Sequence, residues 1–125
     1  MRQITPTEYL MGRCRVEDLP LEYVQNMAIL LTIVNKLLEE FGEYRKVNSG
    51  YRRPEDNKAA NGASKSAHLT CQAVDLEDKE GKLKAFLTEA KLKEYGLYME
   101  HPDATPSWAH VQTRSTKSGS RIFRP

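Results

Sequence analysis

The segment between Pro20 and Gly42 constrains the fold of this chain most. Leu21, Val24, Ala28, Leu31, Val34, Leu38 and Phe41 recur there at three- and four-residue spacing. That spacing predicts one helix with a single stripe turned toward a core. Pro20 opens the helix, and Gly42 ends it, because glycine takes the left-handed conformation of a helix C-terminus without steric cost. A shorter helix precedes it. Thr5-Pro6-Thr7-Glu8 reads as a capping box with proline at the first helical position, and that helix stops near Gly12.

From Arg45 the pattern changes to short strands and turns. Residues 45–49 read as a strand leading into the loop Gly50-Tyr51-Arg52-Arg53-Pro54, and residues 54–61 hold one or two helical turns. Ala73-Val74-Asp75-Leu76 reads as a strand closed by the turn Asp78-Lys79-Glu80-Gly81. Leu83, Phe86, Leu87 and Ala90 form a third helical stripe, ended at Gly96. Two more strands, residues 97–100 and 108–113, are joined by a proline-bearing loop. From Ser115 the chain is polar and basic, and a loosely held tail is expected with Phe123 as its only anchor. The fold class is α+β, with helices packed on a small, mostly antiparallel sheet.

A chain of 125 residues is long enough for one core and too short for two, so residues 1–125 are expected to form a single domain. The net charge of +2 is too small to argue for nucleic acid. Lys117, Arg121 and Arg124 lie on a tail with one aromatic residue and no stacking platform, so no nucleic-acid partner is expected. No apolar run reaches membrane-spanning length, and Met-Arg-Gln-Ile-Thr-Pro lacks a signal peptide's apolar core. The expectation is a monomer made in the cytoplasm, with no membrane insertion. Cys14 and Cys71 can pair in principle, but that location favours free thiols.

The chemistry concentrates in two places. Ser66-Ala67-His68 runs on to Asp75, seven positions after the histidine, and Trp108-Ala109-His110 follows much later. Two imidazoles and a carboxylate form a mixed nitrogen/oxygen set, which with water in a fourth position suits a catalytic zinc ion. A structural zinc would normally close its sphere with cysteines. On a strand, Trp108, His110 and Gln112 share one face while Ala109 and Val111 pack behind. Either histidine alone is better read as an ordinary hydrogen-bonded residue. The three together favour the metal.

Ser49-Gly50-Tyr51-Arg52, Asn57, Ser66-x-His68-x6-Asp75 and Trp108-x-His110, in that order, resemble the M15 zinc peptidases. These are D-alanyl-D-alanine carboxypeptidases and phage endolysins that share a fold with the Hedgehog signalling domain. The resemblance spans roughly residues 6 to 114 and is densest from Ser49 to Asp75. It implies a Zn2+ ion held by His68, Asp75 and His110, and a metal-activated water that hydrolyses short peptidoglycan-type peptides. The specificity implied is of the D,D-carboxypeptidase or L,D-endopeptidase type. The size and the missing signal look most like phage-borne members, released to the host wall with a holin or carried in the virion.

The resemblance also assigns roles around the metal. Arg52 would receive a substrate carboxylate through two parallel hydrogen bonds, although the adjacent Arg53 can exchange roles with it. Tyr51 and Ser66 are further substrate-binding candidates, and Ser66 can instead brace its loop. Asn57 reads as a cap or turn residue holding the arginine loop. Many family members carry an acid just before the last histidine, whereas positions 104–109 here contain none. Glu100 is therefore the first candidate for the general base and Asp103 the second. The missing acid leaves an alternative: a catalytically degenerate member serving as a binding or virion protein. Cys71 stands where the family usually has glycine, so the loop between His68 and Asp75 is expected to differ slightly, with Cys71 a packed thiol.

Overall fold

The computed structural model describes residues 1–125. Helix α1 (Pro6–Leu10) opens on the expected capping box: Thr5 accepts from the Glu8 backbone, and the Glu8 side chain accepts from the Thr5 backbone. A 3-10 turn at Val16–Asp18 leads to α2 (Leu21–Phe41), which ends on Gly42 with φ 94°. Then come β1 (Val47–Ser49), α3 (Pro54–Ala59), a 3-10 turn at Ala67–Thr70 and β2 (Ala73–Glu77). Helices α4 (Lys82–Phe86) and α5 (Glu89–Tyr95) precede β3 (Tyr98–Glu100), a turn at Pro102–Ala104, β4 (Trp108–Gln112) and β5 (Ile122–Phe123). No helix is long and apolar enough to cross a membrane.

The sheet runs β1-β2-β4-β3-β5. All its pairings are antiparallel except β3 with β5. This is the α+β class expected from the sequence. Val74, Leu76, Met99, Ala109 and Val111 are buried and join Leu30, Val34 and Leu37 of α2 in one apolar cluster. Because strand side chains alternate, Asp75 and His110 stand on the opposite face, away from that layer.

Three expectations need correction. The buried stripe of α2 is Met27, Leu30, Leu31, Val34, Leu37 and Leu38, whereas Leu21 is 71% exposed and Ala28 is exposed. The core row is thus rotated from the predicted one, since the run Ala-Ile-Leu-Leu at 28–31 offers two apolar rows. The third helical stripe is two helices: the chain breaks at Leu87, and Thr88 caps α5 by accepting from the Lys91 N–H. Ala90 of that stripe is exposed, and Leu92 is buried in its place.

The third correction concerns the tail. Its end is not loose, because Met99 donates to the Arg121 carbonyl (2.7 Å) and His101 to that of Phe123 (2.6 Å). The Arg121 guanidinium also stacks over the Tyr98 ring at 4.3 Å.

Candidate metal centre

The site begins with a close approach between two backbones. Gly50 passes so near Tyr9 that a Cβ at position 50 would lie 2.0 Å from the Tyr9 carbonyl oxygen. Only glycine fits there. The Tyr51 N–H donates to that same Tyr9 carbonyl at 3.1 Å, which fixes the strand-to-loop turn. The Gly50 carbonyl is thereby aimed at Nδ1 of His68, 2.8 Å away. A carbonyl only accepts, so His68 places a proton on Nδ1 and turns Nε2 toward Asp75 Oδ1.

His68 sits in the 3-10 turn Ala67–Thr70 and is 2% exposed. Ser66 caps that turn, its hydroxyl accepting from the His68 N–H at 3.2 Å, so it braces the loop. The turn closes on Cys71 in the left-handed conformation, φ 59° and ψ 34°. The loop thus keeps the backbone that glycine would favour, although a side chain in that conformation costs on the order of 1 kcal/mol. Cys71 is fully buried in the apolar cluster, where burial pushes its thiol up to about 12, so it is a packed thiol.

Asp75 and His110 face each other directly across β2 and β4. Asp75 Oδ1 lies 2.8 Å from His110 Nδ1 and 3.4 Å from His68 Nε2. His68, Asp75 and His110 therefore bring one donor atom each within 4.8 Å of one another, and all three side chains are buried. The 3.4 Å separation is close to the edge, about 3.3 Å, of a tetrahedron with bonds near 2 Å. Two imidazoles and one carboxylate are a donor set of the right type for zinc, so the residues present fit the ion the resemblance implies.

The electrostatics agree with that fit. Burial alone would raise the Asp75 pKa, but the hydrogen bonds and charges of His110 and His68 outweigh it and hold the carboxyl well below the usual range. Burial lowers the His110 pKa, and the Asp75 bond and charge, together with the charge of Glu100, reverse this to a net rise. Asp75 is thus held as a carboxylate between the two imidazoles.

Arg52 borders this cluster, its side chain 14% exposed. Its Nε donates to Ser49 Oγ (3.1 Å), its Nη1 to Asn57 Oδ1 (3.3 Å), and its Nη2 lies 3.6 Å from Asp75 Oδ2. Asn57 is buried and donates to the Ala63 carbonyl at 2.9 Å, so it ties the arginine to its loop. Arg53 points its fork at Asp56 instead, with Nε at 2.8 Å and Nη2 at 3.1 Å. Tyr51 is 9% exposed and packed in the core cluster, and its carbonyl accepts from Arg13 at 2.6 Å.

Glu100 follows Met99, the partner of Val111, and so stands across from His110 on the same face. It is half-buried. Asp103 lies in the turn after β3, its side chain 74% exposed and engaged by His101 and Arg124. Two neighbours of the site were not assigned from sequence. Gln112 Oε1 lies 2.8 Å from His110 Nε2, and strand alternation had placed it on the correct face. The Phe123 ring meets His110 edge-on, centroids 6.2 Å apart, through a two-residue strand that no local pattern announces.

No curated protein matches the chain. Residues 8–112, however, match the family model described as Peptidase M15, a span that includes Arg52, all three converging side chains and Glu100. With the match covering most of its length, the chain belongs to the Peptidase M15 family.

Proposed function

We propose that this protein is a zinc-dependent metallopeptidase acting on short peptidoglycan-type peptides, with His68, Asp75 and His110 as the metal ligands. The observation that carries the reading is the convergence of two imidazole nitrogens and one carboxylate oxygen in a buried pocket. When bound, zinc lowers the pKa of a coordinated water to about 7 and polarises a carbonyl. The chain's own groups supply the rest. Glu100, across the strand pair from His110, takes a proton and returns it to the leaving amine. Arg52 keeps N–H groups on Nη1 and Nη2 beyond those engaged by Asn57 and Asp75, enough to hold a substrate carboxylate. Asp56 preoccupies Arg53, which favours Arg52 for that task.

This reading carries with it a phage-borne enzyme that meets the cell wall after release. The test is the metal content of purified protein, followed by mass spectrometry of murein peptides digested by it. Cleavage that is lost with a chelator and restored by zinc supports the proposal. Stoichiometric zinc with no cleavage of any murein peptide rejects it in favour of a binding protein built on the same fold.

A further inference from the structure

His110 makes one polar contact on each ring nitrogen: Nδ1 faces Asp75 Oδ1, and Nε2 faces Gln112 Oε1, both at 2.8 Å. The orientation of the Gln112 amide is not free. Its Nε2 donates to the Arg114 carbonyl at 2.8 Å, and a carbonyl can only accept. The amide must therefore turn its oxygen toward His110, and an oxygen there calls for a proton on the imidazole Nε2. Gln112 is 6% exposed, so water does not offer its amide an alternative partner. Arg114 is itself tied down, its Nη2 donating to the Lys65 carbonyl at 2.6 Å.

We propose that Gln112 is a positioning residue that holds the His110 proton on Nε2 and so presents Nδ1 as the atom offered to the metal. The arrangement mirrors His68, where the Gly50 carbonyl holds Nδ1 and Nε2 turns toward Asp75 Oδ1. One histidine thus offers Nε2 and the other Nδ1, and in each case a fixed acceptor on the far side of the ring makes the choice. Partners of this kind orient a ligand and raise its basicity. The inference rests on the metal reading above, and it assigns work to a residue outside the ligand set.

The test uses the full chain, zinc-loaded and metal-free, with the His110 ring followed by proton–nitrogen correlation spectroscopy. The expected result is a slowly exchanging Nε2–H in both states of the wild-type protein. Gln112→Met keeps the length but removes the acceptor, so Nε2–H should exchange freely and zinc affinity, by chelator competition, should fall about 10–100-fold. Gln112→Glu retains an acceptor oxygen and should restore the protected Nε2–H.

A zinc-loaded wild-type protein with its His110 proton on Nδ1 would overturn the proposal. So would Gln112→Met with wild-type zinc affinity and unchanged exchange. If Gln112→Met does not fold, the wild-type proton position and Gln112→Glu still decide. If the wild type retains no zinc, the metal reading fails, and Nε2–H exchange in the metal-free proteins still judges Gln112.

Discussion

Nδ1 of His110 lies 2.8 Å from Oδ1 of Asp75, and the two residues are direct partners across β2 and β4. A hydrogen bond at that distance needs a proton on Nδ1, while Gln112 Oε1 calls for one on Nε2. Without metal, both demands are met only by the imidazolium. The pocket is therefore built around a positive charge, which a proton or a metal ion can supply. Which one supplies it depends on pH.

This competition gives the first prediction. The folded pKa of His110 is raised above its ordinary value of about 6.5. In metal-free protein, the stability from the His110–Asp75 pair is thus fully present below about pH 6.5 and is lost as pH rises through the folded pKa. Asp75 has a lowered folded pKa, so its contribution is present above about pH 4 and is lost only in stronger acid. Zinc binds the neutral imidazole, so its stabilising increment should grow over the range in which the metal-free protein weakens. Urea midpoints measured against pH, with chelator and with zinc, should diverge as pH rises. Parallel curves would rule out His110 as a ligand.

The second prediction separates ligands from neighbours. His68→Ala or His110→Ala should abolish zinc retention, since each removes one of three converging donors. Cys71→Ser should leave retention nearly intact, because Cys71 packs in the apolar cluster and is not one of the converging donors. Metal content after gel filtration reads both results. Loss of zinc from Cys71→Ser alone would overturn the ligand assignment.

Arg52 and Arg53 give a paired test. Arg52→Lys keeps the charge but loses the planar fork. It should lower kcat/KM by roughly 10–100-fold, the worth of about 1.5–3 kcal/mol for a charge-assisted hydrogen bond. Zinc content should not change. Arg53→Lys disturbs its pairs with Asp56 and Glu55, which lie outside the ligand cluster, and should leave turnover intact. Steady-state kinetics on a murein peptide with a free carboxylate reads the difference, and the opposite ranking would assign the carboxylate to Arg53.

The site was more legible in the sequence than the packing behind it. His68, Asp75 and His110 are chemically distinctive, and strand alternation alone placed His110 and Gln112 on one face. The core row of α2 was harder, because Met27 adjoins Ala28, Leu30 adjoins Leu31 and Leu37 adjoins Leu38, and hydrophobicity alone does not fix the phase. Strand β5 carries no local signal: two residues pair with a strand more than twenty positions earlier, held mainly by backbone hydrogen bonds. The close approach of Gly50 to Tyr9, which aims the carbonyl at His68, is likewise a long-range fact.

That close approach gives the fourth prediction. Gly50→Ala places a Cβ 2.0 Å from the Tyr9 carbonyl oxygen, so backbone must move on one side or the other. The cost should be on the order of 1–3 kcal/mol, as for overpacking elsewhere. Any shift of residue 50 also moves the acceptor of His68 Nδ1, so zinc affinity should fall together with stability. Urea unfolding and chelator competition on the same variant check both. A destabilised variant with full zinc affinity would detach Gly50 from the site.

The last prediction concerns Glu100. It stands across β3 and β4 from His110, on the same face, and its charge contributes to the raised His110 pKa. Glu100→Gln preserves shape and removes proton acceptance. Zinc content and thermal stability should hold, while kcat falls by about two to four orders of magnitude, the usual worth of a positioned base. Asp103→Asn is the internal control. Its side chain is 74% exposed and paired with His101 and Arg124, so the substitution should cost little. Wild-type turnover in Glu100→Gln would end this assignment, and a large loss in Asp103→Asn would transfer the role there.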